Sequence, residues 1–398
     1  MANTIKLGNG NWATKEGSLL AYNDENNNFK PLPFTTTRAS SATVVNKQGL
    51  IETVGSGIPR IDFSDDANGA LLLEPQRTNL IDESNNLTIS WGDYNFGGGN
   101  MTEQFGVLSP DGSNNATRLT YTNTSPGSGG AVLTKNLTLV AEAQYTISFY
   151  AKHVSGIKQI RVDLRNSSSG GVSGSLFTLT NQWKRYTKTV TNDSETNRGL
   201  QFRLNDSEYS GDRTFDVWGI QLEQATYASS VIQTSGTAQT RVADTATGSG
   251  NSTVINSTQG VLYFEGIATN PDVSANSQIS ISSATNSGNN RVMITPSSDT
   301  QLTLRFNAGG TQLVTQAVTV SSLSVNSKIA VRWGNGNYSL YQNGSEVYTQ
   351  AIASTPTGLA KLNFSSVTES NNFNGKAKDL RVYTTALSDE ELTTLTTI

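Results

Sequence analysis

The run Ala143-Gln144-Tyr145-Thr146-Ile147-Ser148-Phe149-Tyr150-Ala151-Lys152 decides the fold class. Tyr145, Ile147, Phe149 and Ala151 take every second position, so an extended chain turns all four to one face. A helix would scatter the same side chains around its circumference. The run is therefore a strand with one buried side, and the same reading extends outward from it.

Upstream, residues 117–121 alternate in the same way, and downstream so do 157–164, 176–179, 184–190, 200–204 and 214–223. Clusters of Gly, Asn, Asp and Ser separate them and serve as turns. Eight or so short antiparallel strands without a helical pattern predict a jelly-roll β-sandwich over 85–244. Residues 245–257 are small and polar with no apolar face, the composition of a linker. A second β pattern opens at Gly260-Val261-Leu262-Tyr263-Phe264 and runs to the end, giving a second sandwich over 258–398. Within it Asn343-Gly344, between Tyr338-Ser339-Leu340-Tyr341 and Glu346-Val347-Tyr348, is the pair that tolerates positive φ at both centres of a type I′ hairpin. Ser388-Asp389-Glu390-Glu391-Leu392 predicts a short capped helix, with acidic residues in its first turn. The fold class expected is all-β.

Before these domains lie 84 residues of another kind. Residues 1–37 hold one short apolar cluster, Trp12 with Leu19, Leu20 and Tyr22, too little for a core of their own. This arm must pack on something else, either the next domain or a neighbouring subunit. Residues 38–46 (RASSATVVN), 58–63 (IPRIDF) and 71–81 (LLLEPQRTNLI) place Arg, Pro and Gly where a core element would carry apolar residues, which suits a joining segment.

Composition narrows the function. The chain has 398 residues, enough for two or three domains, with 35% apolar and 15% charged residues and a net charge of -4. That balance offers no basic footprint for nucleic acid, and Lys184, Arg185 and Lys188 read as a solvated strand face. The absence of cysteine removes disulfides and thiolate chemistry. The N-terminus has no apolar signal-peptide core and no run of about 18 apolar residues occurs, so neither export by a leader nor membrane insertion is expected. His153 is the single histidine, which leaves a Ser-His-Asp machine one choice and excludes a histidine-cluster metal site. Paired carboxylates would suffice for a glycosidase, but no E-x-D-x-x-E strand is present, and Asp389-Glu390-Glu391 reads as helix-capping charge.

Residues 5–23 (IKLGNGNWATKEGSLLAYN), taken with the three motifs of the joining segment, resemble the N-terminal portion of tailed-bacteriophage virion proteins of the tail-fibre or receptor-binding type. Residues 145–156 (YTISFYAKHVSG), 182–190 (QWKRYTKTV) and 215–244 are similar to the carbohydrate-binding-module-like jelly roll of such proteins, the last as a final strand plus a tail wrapping back along the sandwich. Residues 373–392 (FNGKAKDLRVYTTALSDEEL) resemble the closing strand and helix of a concanavalin A-like (laminin G-like) sandwich.

The resemblance implies a non-enzymatic virion component, assembled in the host cytoplasm and exposed on the particle. Residues 1–84 would attach it to other virion proteins or pair subunits, with a homo-oligomer, a trimer, as the expected state. The two sandwiches would face host cell-surface glycan. Lectin-like sites set an aromatic face against the sugar ring, and Trp91, Tyr94, Phe96 and Tyr209 fall in stretches rich in glycine or polar residues, where an aromatic has less reason to be core. Trp183, Trp218 and Trp333 sit in strand patterns and read as core. Jelly rolls of this type often hold a structural calcium, for which Asp212 and Asp216 are the candidates. The rival readings are a purely architectural capsid decoration or head fibre, and a capsular polysaccharide depolymerase.

Overall fold

The computed structural model describes residues 5–23, 28–124, 129–166, 171–205, 211–268, 277–285 and 287–398. They form two compact units, and the chain is not laid out serially between them. One unit comprises residues 50–52 and 77–241, and the other residues 1–49, 53–76 and 242–398. The jelly roll is thus an insertion into a discontinuous second unit.

In the inserted unit, two five-stranded sheets face each other. The first runs Gly92–Phe96, Gly130–Thr138, Asn197–Asn205, Gln159–Asn166, Gly171–Thr178, and the second Gly99–Val107, Ala116–Asn123, Arg213–Glu223, Gln144–Gly156, Lys184–Thr191. All the pairings are antiparallel. The alternation of Tyr145, Ile147, Phe149 and Ala151 puts them in the shared core with Leu133, Leu164, Phe202 and Val217. Phe149 meets Phe177 and Phe202 edge to face at 5.3 and 5.4 Å, and burying each ring contributes about 1.5–3 kcal/mol. The expected wrapping tail is present. The Ser229 N–H donates to Glu223 at 3.0 Å and the Ile232 N–H to Gln221 at 2.7 Å. This covers polar residues on the outer face of the second sheet, which are fully buried. Asn79 of the joining motif is buried and satisfies both ends of its amide. Its Nδ2 donates to the carbonyls of Ile220 and Ile232, and its Oδ1 accepts from the N–H groups of Ile81 and Leu222.

The other unit is also a sandwich. Its larger sheet runs Thr245–Thr247, Asn28–Thr37, Ser18–Asn23, Ile5–Gly8, Gly375–Tyr383, Gly260–Ile267, Ser327–Gly334, Asn337–Gln342, Ser345–Ala351. The opposing sheet is built from Thr311–Thr319, Gln301–Ala308, Arg291–Ser298, Ile279–Ser283 and Leu359–Asn363. Asn343 (φ 50°) and Gly344 (φ 85°) make the expected hairpin. The helix Asp389–Thr396 has its capping box at Ser388 and Glu391, and Leu392 packs on Tyr263, Tyr341 and Tyr383.

Two expectations are corrected here. The arm does pack on another part of the chain, but its described residues, 5–23 and 28–37, join the C-terminal sandwich and not the next domain, so residues 1–84 are not one attachment segment. Ile5–Gly8 lies along Gly375–Tyr383, with Ile5 opposite Val382 and Gly8 opposite Asp379. Ile5, Leu7, Leu19 and Phe34 complete the core of the C-terminal sandwich. Gly8 has φ +103°, and a Cβ there would fall 2.1 Å from the Lys378 carbonyl oxygen, so this close approach needs glycine. Nor are residues 245–257 a free linker. Thr245–Thr247 pairs with Asn28–Thr37, and Ala246 and Ile255 are core residues. Backbone pairing asks nothing of side-chain polarity, so linker-like composition did not prevent a strand.

Asp62 and Lys376 tie the joining segment to this sandwich at 3.0 Å, and the Val45 N–H donates to Asp62 at 2.9 Å. Burial raises the Asp62 pKa, but Lys376, Ser64 and Val45 outweigh it and hold the carboxyl below its usual range. Burial lowers the Lys376 pKa, and Asp62 and Asp65 outweigh that to raise it. A depressed carboxyl contributes stability that is complete above the unfolded-state pKa and is lost as pH falls through the folded-state value. The lysine's contribution is complete below its ordinary pKa and is lost as pH rises through its raised value. Asp62→Asn is expected to lower urea stability at neutral pH, and the difference from the parent should shrink below about pH 3.9. A difference that stays constant into strong acid would assign the loss to packing instead.

Candidate functional site

The outer face of the first sheet of the inserted unit is a regular lattice, because directly paired residues share a face. One row across the strands reads Tyr94, Val132, Arg203, Arg161, Leu176. The next reads Gly92, Thr134, Gln201, Asp163, Gly174, and the third Asn136, Gly199, Arg165. Inward-facing neighbours Leu133, Ile160, Val162, Leu200 and Phe202 hold this face rigid from below.

Beside the third row, Asn136, Thr138, Asn197, Gly199 and Gln201 line a cleft of about 410 Å³ together with Leu137 and Arg198. That volume lies within the usual range for small-ligand sites. A Cβ on Gly199 would sit 2.8 Å from Thr134 Oγ1, so the bare backbone keeps the floor low. Thr134 Oγ1 is buried without a hydrogen-bond partner among the described residues. Donors and acceptors of amide type over a low floor suit a ligand rich in hydroxyl groups.

At the sheet edge Tyr94 and Phe96 stack with centroids 5.7 Å apart and planes at 29°. Tyr94 is 64% exposed, while Phe96 lies over Gly130, whose added Cβ would meet the ring at 2.3 Å. These two aromatics lie on a strand, not in a loop, and present a surface for stacking. Trp91 is different. Its Nε1 donates to the Glu83 carbonyl at 3.1 Å and its ring is 6.1 Å from Phe202, so it packs against the core. Tyr209 lies outside the described residues. The residues missed from sequence are Thr134, Asn136, Asp163, Arg165, Gln201 and Arg203. Their signal was the polar half of the same alternation, as in Arg161-Val162-Asp163-Leu164-Arg165.

The proposed calcium ligands do not converge. Asp216 is buried on the other sheet and gives both oxygens to cations, Arg118 at 2.7 and 3.1 Å and Lys152 at 3.3 Å. Asp212 Oδ1 accepts from the Asn123 N–H at 3.0 Å. Among the described residues no three acidic or histidine side chains cluster as a metal site. The donor set does not fit the ion. His153 meets the Gly156 carbonyl at 2.9 Å and Asn181 at 3.3 Å. Trp333 is buried in the C-terminal core, and Trp218 is buried with its Nε1 donating to Asn115 at 2.6 Å. Trp183 instead sits half-buried under Lys152 Nζ, 5.1 Å from its ring centroid.

Residues 83–211 match a family model described as a carbohydrate binding domain. Residues 267–393 match that of the concanavalin A-like lectin/glucanases superfamily, of laminin G type. The chain therefore carries a carbohydrate-binding-module domain followed by a concanavalin A-like domain. Among solved structures, the CBM40 of the Ruminococcus gnavus IT-sialidase, bound to α2,3-sialyllactose, is 20% identical. The match covers 38% of this chain and 94% of that one, with a TM-score of 0.32. Domain 4 of AbnA, a GH43 arabinanase from Geobacillus stearothermophilus, in complex with arabinotriose, is 14% identical. Here the match covers 39% of this chain and 73% of that one, with a TM-score of 0.31. No curated protein matches the sequence.

Proposed function

We propose that this protein is a non-enzymatic component of a phage virion that binds host cell-surface glycan through the open face of its inserted jelly roll. The observation that carries the reading is the polar cleft at Asn136, Gly199 and Gln201 on a rigid sheet whose edge presents Tyr94 and Phe96. The match of that domain to a carbohydrate binding domain supports the ligand class. The likeness of residues 5–23 and 38–81 to phage fibre proteins supports the virion role. Since the strands Ile5–Gly8, Ser18–Asn23 and Asn28–Thr37 are used inside the C-terminal sandwich, attachment to other virion proteins would employ a folded surface.

The test is a glycan array followed by calorimetry on the full chain. Tyr94→Ala and Gln201→Ala are each expected to weaken binding by about tenfold, the loss of one stacking or hydrogen-bonding contact. Because Tyr94 is exposed, its variant should melt within about 0.5 kcal/mol of the parent. Saccharide binding unaffected by both substitutions would move the site elsewhere. Turnover of a bound polysaccharide would overturn the non-enzymatic reading.

A further inference from the structure

We infer that the C-terminal sandwich holds a ligand site of its own, for an oxyanion of phosphate type, at Arg291 and Arg305 on the outer face of its smaller sheet. The five strands of that sheet contain these two arginines and Lys361, and neither Asp nor Glu. Val292, Ile294, Leu304 and Phe306 enter the core, so Arg291, Met293 and Thr295 of one strand and Thr303 and Arg305 of the next turn outward. One row across the strands reads Ser282, Arg291, Asn307, and the next Ser280, Met293, Arg305, Thr315. Arg291 and Arg305 are therefore diagonal neighbours on adjacent strands, a spacing of roughly 7–8 Å that long side chains bridge.

Neither guanidinium meets a carboxylate, carbonyl, hydroxyl or ring among the described residues, and Arg291 Nε is buried without a hydrogen bond. Every other arginine among the described residues has at least one such partner. Lys361, the third cation, pairs with Glu369 from outside the sheet. Burial, and then the charge of Arg305, push the Arg291 pKa below its ordinary value. Neighbouring like charges work against a sheet, so stability alone does not account for the pair. Polar groups stand ready beside it. Thr295, diagonal to Arg305, is 6% exposed and its Oγ1 is buried with no partner. Asn307, opposite Arg291, gives its Nδ2 to the Gly288 carbonyl at 3.0 Å and keeps a buried, unpaired Oδ1 as an acceptor for a hydroxyl. Two cations without counter-charge call for an anion of about two charges. A phosphate monoester carries about -1.5 to -2 at pH 7, and planar guanidinium forks match its oxygens, whereas one carboxylate would leave an arginine unbalanced.

Calorimetry on the full chain at fixed ionic strength tests this with inorganic phosphate, glucose 6-phosphate and acetate. Inorganic phosphate is expected to bind at least about tenfold more tightly than acetate, and Arg291→Gln or Arg305→Gln to weaken it about tenfold, the loss of one charge-assisted pair. Arg305→Lys should keep part of that affinity, as charge without the fork. Both glutamine variants should melt no lower than the parent, since each relieves the repulsion, and this separates a ligand role from a structural one. Glucose 6-phosphate held as tightly as the free ion would make a sugar ester the source, and its exclusion would assign the site to free phosphate. Phosphate bound no better than acetate, or a phosphate affinity indifferent to both substitutions, would overturn the inference. A lower melting temperature in both glutamine variants would overturn it too, by showing that the arginines serve the fold. The jelly roll does not enter this test, so its glycan binding stands or falls separately.

Discussion

A chain lacking residues 1–37 is expected to lose its C-terminal sandwich while the inserted jelly roll still folds. The deletion strips Ile5, Leu7, Leu19 and Phe34 from a core they share with Val292, Leu304, Phe306 and Val382. It also exposes the edge of Gly375–Tyr383 along four consecutive positions. An uncovered apolar edge of this kind pairs with other chains, so the truncated protein should aggregate through that unit. A milder version isolates the packing term. Phe34 is fully buried with its ring 5.3 Å from Phe364, and Phe34→Ala should cost about 3–5 kcal/mol. For a unit of this size that is a drop of roughly 6–20 °C in melting temperature. The check is hydrogen exchange read separately on the two units. Protection should collapse across residues 258–398 and persist across 130–223. Full protection of the C-terminal strands without residues 1–37 would show that the sandwich closes by itself.

That dependence could not be read from the sequence, for a physical reason. Strand character is local: the alternation in 143–152 and the Asn343-Gly344 turn each identify themselves within ten residues, as does the Ser388 cap. Strand partnership is not local. Nothing in Ile5-Lys6-Leu7-Gly8 specifies that its partner is Leu380 and its neighbours, more than 370 residues away. The same holds for Thr245–Thr247, whose threonines look solvated because the pairing with Asn28–Thr37 runs through backbone groups. The candidate site is only partly legible. Tyr94 and Phe96 stand out because a glycine-rich stretch gives aromatics no core to fill. Gln201 and Arg165 do not, since a polar residue on an alternating strand is the ordinary solvated case until register sets it beside a cleft.

Arg38 and Arg60, the residues least suited to a core in the joining segment, make the second large prediction. Both are buried. Arg60 Nη1 donates to Glu74 at 2.7 Å and its Nε and Nη2 donate to Asp244, while Arg38 Nη1 donates to Asp244 at 2.9 Å. The Glu74 N–H donates to the same Asp244 carboxylate at 2.9 Å, and Arg38 and Arg60 also donate to backbone carbonyls of Ser40, Ile58 and Thr43. Burial would lower the Arg60 pKa, but Glu74 and Asp244 outweigh it and hold the guanidinium above its ordinary value. Two buried carboxylates thus balance two buried arginines that precede the inserted jelly roll, and Asp244, at the return of the chain into this unit, is the one both arginines share. Asp244→Ala leaves both guanidiniums in a dry site without it, which is expected to cost about 3–5 kcal/mol. The half-exposed pair Lys361–Glu369 supplies the contrast, since Lys361→Ala should change stability by no more than about 1 kcal/mol. Urea denaturation of the two variants side by side distinguishes them, with the loss in Asp244→Ala confined to the unit that contains Arg38, Arg60 and Glu74. If the two substitutions cost the same, the buried arginines are held by their carbonyl acceptors, and the ion pairs add nothing to the fold.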